Sequence, residues 1–466
     1  MDGESWLPQA LLFDSQRIWG DNAATALAQV PGNPHEKDGA MRILAMWILL
    51  GWVCIGAWAE ESIEPQDVEA VIQVLAGDDM EGRKAGSQGE QLAASFIIDE
   101  FKKAGLQPLQ GMDGFRHRFS MEELVPGSSS LVLNGKDIPQ DQFLIYAEAP
   151  TLALTDIEGM DLKKFGADDD LSKQFGQIFN SPEPTLVLVH PKHQAFFQRI
   201  HGFLGDSRIL GAEKRSHKVF ILTEEQEVNS LEGKLTNTLE NVNFANVVGV
   251  LPGKRTDEYL LFSAHYDHLG KIEPVDGDAI ANGADDDASG VTGIILLARY
   301  FAAGEMPERT LVFVAFTAEE MGTLGSRQFS KVIKPEQIVA GINLEMIGKP
   351  SKFGKGQVFL TGFDRSDLGS LMQKRMENTE FALHPDPYPT MNLFFRSDNA
   401  PFARLGVPAH TVSAAQIDQD KFYHTVDDEV ETLDMEHLTA AIKAVATGVA
   451  GLVNGEDTPT RLKTSP

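Results

Sequence analysis

From Asn246 onward, apolar strand-like runs and helix-like runs alternate without interruption, and that alternation leaves the chain few architectures to choose from. NVVGVLPG, EYLLFSAHYDH, TLVFVAFT, IVAGINLEMIG, VFLTG and VPAHTVS read as strands. Helices are expected from Ala288 to Phe301, after Glu320, near Leu368 and from Met435 to Val453. The strands are nearly continuous Val, Leu, Ile and Phe rather than alternating, so both faces of their sheet are covered. The expected fold is α/β, a mostly parallel or mixed central sheet flanked by helices. In such sheets ligands gather outside the carboxyl ends of the strands, and the residues there carry the functional reading.

Ahead of this part, VEAVIQVLAG and GEQLAASFIIDEFKKAGL carry apolar residues at helical spacing, with Gly105 as a stop and the Gly-rich turn DDMEGRKAGSQG between them. Residues from about 118 to 244 differ: short β-rich runs (SLVLNG, PTLVLVHP, HKVFILTEE) are separated by polar and Pro-containing stretches. The expected organisation is a main domain from 60–117 and 245–456, a β-rich subdomain inserted at 118–244, and a tail at 457–466. From Met41 the order is Arg42, the apolar run ILAMWILLGWVCIGAWA, then Ala57 and Ala59 ahead of Glu60 and Glu61. That pattern predicts a secretory signal over 41–59, with 1–40 an upstream extension. The run is shorter than the roughly 20 residues of a bilayer span, which favours cleavage over a retained anchor. The mature protein is then expected to be secreted or periplasmic and free of the membrane. The lone cysteine, Cys54, lies within the signal, so disulfides and thiol nucleophiles are excluded from the mature chain.

Sixty-eight acidic residues against forty basic ones give a formal charge of −28, with no basic stripe to neutralise phosphates, which excludes nucleic acid as a partner. Most of that acidity is solvated surface; a second reading is that its field draws in substrates with a free ammonium group.

Chemistry-bearing residues appear where the strands run out. His265 emerges at the tip of YLLFSA, and Asp267, two residues on, is a candidate to fix its tautomer; His268 reads as structural. In GADDDASG three aspartates between Gly283 and Gly290 open a helix. One Asp there is an ordinary cap, but three in a row repel each other unless a cation gathers them. A calcium loop needs alternating oxygen ligands ending in a bidentate Glu, and that spacing is absent. Glu319 and Glu320 sit at a strand-to-helix junction, where consecutive side chains point apart and suit one ligand and one general base. Glu345 in INLEMIG is a carboxylate among apolar neighbours, for which a metal is a fitting partner. FYHTVDD supplies His424, with the Tyr423 phenol beside it able to steady an oxyanion. Two imidazoles and three carboxylates suit a pair of borderline divalent metals, so the sequence reads as a metallohydrolase. Neither G-x-S-x-G nor H-E-x-x-H occurs.

Taken in order, His-x-Asp, Asp-Asp-x-Ser-Gly, Glu-Glu, the acidic residue after Asn-x, and Tyr-His resemble the secreted zinc aminopeptidases of metallopeptidase family twenty-eight, the bacterial leucyl-aminopeptidase type. DDMEGRKAGSQG and SDNAPFARLGVPAH are similar to that family's flanking segments, so the resemblance covers about 65–117 and 246–453. It implies that 60–117 and 245–456 form a zinc peptidase catalytic domain holding two Zn2+ per chain. It also implies Asp286 as the bridging ligand, with Asp287 following through an unusual peptide bond. His265 and Glu345 would complete one zinc site, Glu320 and His424 the other. Glu319 would be the general base acting on a metal-bridged water, Tyr423 an oxyanion donor, and Asp267 the partner orienting His265. The implied substrates are peptides with a free N-terminus, from which one amino acid is released. Glu345 departs from the Asp that the family often has, and 118–244 occupies the place where many relatives carry a protease-associated domain. Three alternatives stand beside this reading. Glutaminyl-cyclase-like aminoacyl transferases share the scaffold with one zinc. A carboxypeptidase variant would use Arg396 and Arg404. A non-catalytic binding module would have lost a ligand or the base.

Overall fold

The computed structural model describes residues 63–211 and 215–463; the expected signal at 41–59 and the extension at 1–40 lie outside them. Pro65 opens α1 (Pro65–Leu75), and Val68, Val71, Ile72 and Leu75 form its single buried stripe. Ser87 caps α2 (Gln88–Lys103) by accepting from the Glu90 amide at 3.2 Å, and Lys102 and Lys103 close the end of the helix that favours cations.

A long strand, β1 (Arg116–Leu133), then leads away into the inserted segment. There β2 (Phe143–Tyr146), β3 (Asp161–Phe165), β4 (Thr185–Val189) and β5 (Lys218–Leu222) form a four-stranded sheet in the order β2-β5-β4-β3. Two helices, α3 (Leu171–Phe179) and α4 (Gln194–Gly205), cover one face through Leu171, Ile178, Phe197 and Ile200. The other face, with Phe143 and Ile145, packs on Leu131 and on Leu231 of the returning strand β6 (Leu231–Leu251). β6 runs antiparallel to β1 over nearly its whole length. The two helices are additions to a segment that reads as β-rich: they are only 9 and 12 residues long, and the apolar strands around them dominate the local composition.

The main sheet is completed by β7 (Arg255–His265), β8 (Arg309–Phe316), β9 (Ile338–Glu345), β10 (Gln357–Leu360), β11 (Ala382–Pro385) and β12 (Ala409–Ser413), in the order β11-β10-β12-β9-β7-β8-β6-β1. β7 is parallel to β8 and β9, and β9 to β12, whereas β6 against β8 and β10 against β12 are antiparallel, so the sheet is mixed. Helices α5 (Gly290–Ala303), α6 (Leu324–Phe329), α7 (Leu368–Met376), α8 (Asn399–Arg404) and α9 (Met435–Val453) flank it. Leu260, Phe262, Leu311 and Phe313 pack into one core with α1, α2, α5 and α9, while Leu261, Val312 and Val314 pack on the opposite side with Phe329 and Phe402. That double coverage is why every residue of β8 is buried. Among the described residues no helix is long and apolar enough to cross a membrane.

The parallel strands end level with one another. His265 pairs with Phe316, the last residues of β7 and β8, and Glu345 pairs with Ser413, the last of β9 and β12. Four carboxyl ends therefore share one edge, and the loops beyond them meet.

Candidate metal centre

His265 leaves β7 fully buried, its Nδ1 held 3.0 Å from the Asp267 carbonyl oxygen, so Nε2 faces outward. That Nε2 lies 3.1 Å from Asp286 Oδ1 and 3.2 Å from Glu345 Oε1. On the other side of the same carboxylate, His424 Nε2 lies 3.2 Å from Asp286 Oδ2 and 3.2 Å from Glu320 Oε2. One carboxylate thus presents each of its oxygens to an imidazole and a further carboxylate. The spacing is diagnostic: two bonds of about 2.0–2.1 Å at a tetrahedral angle set ligand atoms about 3.3 Å apart.

The loop carrying Asp286 is fixed by backbone needs. Gly283 has φ +55°, and a Cβ there would meet the Asp286 carbonyl oxygen at 2.2 Å and the His268 ring at 2.5 Å. The Asp286–Asp287 peptide bond is cis. Asp287 and His268 come within ligating reach of the two clusters as well. The Asp287 oxygens, however, accept from the amides of His265, Gly290 and Met346 at 3.0 to 3.2 Å, which ties β7, α5 and the end of β9 together. His268 turns Nδ1 to Glu320 Oε1 at 2.8 Å, leaving Oε2 for His424. A residue that reads from the sequence as merely structural therefore orients one of the expected ligands.

Asp267 divides its labour. Its carbonyl, rather than its carboxylate, holds His265, because the carboxylate is engaged by the Glu319 and Glu320 amides at 3.0 and 3.4 Å. Burial pushes the Glu319 carboxyl well above its ordinary range, and the charges of Asp398, Glu345 and Glu320 add to it. Burial would depress His424, but Asp286 and Glu320 outweigh it and raise its pKa to about 10. Tyr423 stacks on the His424 ring with centroids 3.9 Å apart. Burial and the surrounding carboxylates push its phenol up, so it stays a neutral donor.

The longer side chain at Glu345 is accommodated by a buried relay. Ser263 donates to Asn343 at 2.8 Å, Asn343 to Ser397 at 2.8 Å, and Ser397 to Glu345 Oε2 at 2.6 Å. This leaves Oε1 for the His265 side.

Residues 246–449 match the model of peptidase family M28. This stretch is an M28 peptidase domain. A probable zinc metalloprotease of Pyrenophora tritici-repentis is 30% identical over 261 residues, covering 47% of this chain and 59% of that protein. A probable leucine aminopeptidase of Trichophyton verrucosum is 27% identical over 202 residues, 41% of this chain and 53% of the relative. The chain thus spans a little over half the length of these curated relatives. An aminopeptidase from Aneurinibacillus sp. strain AM-1 has a similar fold, with a TM-score of 0.54 at 18% identity over 86% of this chain and 96% of that one.

Two cationic side chains brace the acidic centre of the M28 domain. Arg83, fully buried and contributed by the turn between α1 and α2, donates from Nε to the Tyr266 carbonyl at 2.9 Å. Its other nitrogens donate to the carbonyls of Leu75, Asn282 and Gly283 at 2.6 to 2.9 Å. Lys349 Nζ lies 2.9 Å from Asp420, 3.1 Å from Asp428 and 3.6 Å from Asp285. Asp428 in turn accepts from the amides of Asp285 and Asp286 at 3.0 and 3.1 Å. Lys349 and Asp428 therefore join the His424 loop to the Asp286 loop, and the sequence offered only the second Asp of TVDD as a signal.

The donor set fits zinc. Each half offers one imidazole nitrogen, one carboxylate oxygen of its own and one oxygen of Asp286, three protein ligands with room for a fourth. Beside Glu345, Met346, Thr361, Leu393, Ile417 and Tyr423 line a cavity of about 70 Å³.

Proposed function

We propose that the chain is a secreted, zinc-dependent exopeptidase that removes the N-terminal residue from peptides with a free amine. The observation that carries this reading is the Asp286 carboxylate set between two imidazole–carboxylate pairs with Glu319 alongside. His265 and Glu345 would hold one Zn2+ and Glu320 and His424 the other, with Asp286 shared. When bound, the ions supply Lewis acidity that polarises a carbonyl and acidifies water.

The protein's own groups do the rest. Glu319 takes a proton at its carboxylate and returns it to the leaving nitrogen, a role suited to a carboxyl whose pKa is raised by burial. The Tyr423 O–H stands as a neutral donor for the developing oxyanion. The negative potential of Glu320, Glu345 and Asp286 favours a substrate ammonium, and the cavity walled by Met346, Leu393 and Ile417 gives room for the first side chain. Curated relatives named as leucine aminopeptidases support the same reaction.

The test is amino-acid release from peptides with free, N-acetylated and C-amidated ends, with added zinc or with chelator. Chelator-sensitive release only from free amines, with C-amidation tolerated, is the expected result. Glu319→Gln should lower kcat about 10²- to 10⁴-fold with metal content unchanged. Cleavage of acetylated peptides that C-amidation blocks would assign a carboxypeptidase instead.

A further inference from the structure

Between the inserted segment and the M28 domain lies a cleft of about 890 Å³ whose charge is opposite to that of the molecule. Among the described residues its lining includes Arg215, Arg327 and Lys331 and no acidic side chain, in a chain of sixty-eight acids and forty bases. Arg215, on the inserted side, is partly offset by Glu148 at 3.2 Å. Among the described residues Arg327 spends only Nε, on the Gly322 carbonyl and the Thr323 hydroxyl, both at 3.0 Å. Lys331 reaches the Gln328 amide oxygen at 3.0 Å. Among the described residues neither Arg327 nor Lys331 has a carboxylate partner.

The position of the cleft gives the charge a use. Met321 and Gly322, which line it, directly follow Glu320, so a wall of the cleft is joined through the backbone to a carboxylate of the acidic centre. A peptide bound with its ammonium at that centre leads its downstream residues onto an adjoining surface. The acidic cluster repels a carboxylate, and the Arg327–Lys331 wall attracts one. We infer that this cleft binds the part of the peptide beyond the scissile bond and selects substrates that carry carboxylates there. The inference rests on the aminopeptidase reading and deepens it: the favoured substrate is positive at its first residue and negative a few residues on.

Two substrate pairs separate the sources of that carboxylate. Leu-Ala-Glu-Glu amide against Leu-Ala-Gln-Gln amide tests acidic side chains; Leu-Ala-Ala as free acid against its amide tests a chain terminus. Leucine p-nitroanilide, which has nothing to place in the cleft, is the control. Exposed charge pairs change an equilibrium about twofold to fivefold each, so kcat/KM for the Glu peptide should exceed the Gln peptide about fivefold at low salt and converge with it at high salt. Lys331→Glu should erase the preference, and Arg327→Glu with Lys331→Glu should reverse it, with nitroanilide hydrolysis unchanged. A response in either pair supports the inference and identifies which carboxylate is read. Equal kcat/KM within both pairs, with the nitroanilide turned over normally, overturns it alone. Failure of the wild type to release leucine from any of these substrates overturns the aminopeptidase reading and this inference together.

Discussion

At the carboxyl edge of the main sheet, Asp267, Asp285, Asp286, Asp287, Asp398 and Asp428 are all buried; backbone amides hold Asp267, Asp285 and Asp287, Lys349 pairs with Asp285 and Asp428, and His265 and His424 face Asp286. The four-stranded sheet of the inserted segment buries very little charge. Lys218 is its main case, with Nζ donating to the carbonyls of Ser181 and Glu183 at 3.0 and 2.7 Å, and Phe143, Leu186, Val219 and Ile221 fill the remainder. Gathering like charges in a low-dielectric setting costs free energy that only opposite charge recovers. The first region is therefore shaped for a cation and the second for packing, and the two should respond differently to the same kinds of change.

The largest difference is expected at the shared carboxylate. Asp286→Asn keeps the shape but removes the charge that both imidazole–carboxylate pairs face, so activity should fall at least about 10³-fold and bound zinc should drop below two per chain. Metal analysis after dialysis, paired with peptide hydrolysis, checks this; full zinc content with intact rates would break the contrast between the regions. Next is Arg83→Met. It leaves four buried carbonyls without their donor, at about 1 kcal/mol or more each, so denaturant unfolding should show about 4 kcal/mol of destabilisation. Zinc affinity should fall as well, because Tyr266, Asn282 and Gly283 flank the ligand loops.

Those same residues show how far the sequence could be read. His265 and Glu345 were legible because an apolar strand runs directly into each, and β7 and β9 end at them. Asp286 was not separable from Asp285 by composition; only the resemblance distinguished them, because the distinction depends on which side chain a three-dimensional loop turns inward. Arg83, His268 and Lys349 escaped for another reason. Arg83 meets carbonyls 183, 199 and 200 positions away, and Lys349 meets Asp428 79 positions away, contacts with no local periodicity to announce them. In the inserted segment β4 and β5 were visible as apolar runs. The full extents of β1 and β6 were not, because exposed polar residues interrupt their apolar pattern.

Acid should separate the two regions further. His437 in α9 is buried, with Nδ1 accepting from the Gly356 amide at 2.9 Å, and burial holds its pKa down at about 4. The unfolded chain binds a proton there near pH 6.5 and the folded chain does not, so the stability from the neutral ring is complete above about 6.5. It is lost as pH falls toward 4, at a cost of up to about 3 kcal/mol. Hydrogen exchange at pH 5 should therefore loosen the main-sheet segments around α9 before the four-stranded sheet, and His437→Gln should flatten that slope.

The smallest effect is expected where charge is incidental. Lys218→Met keeps the buried stem and removes an ammonium that, among the described residues, serves only carbonyls and the Ser216 hydroxyl. Because the variant also removes the cost of burying the charge, stability should change by about 1 kcal/mol or less. Zinc content and leucine p-nitroanilide kinetics should stay at wild-type values. A change in kcat here would show that the inserted sheet positions the β8–α6 loop, and the division between a region shaped for a cation and one shaped for packing would then fail at their boundary.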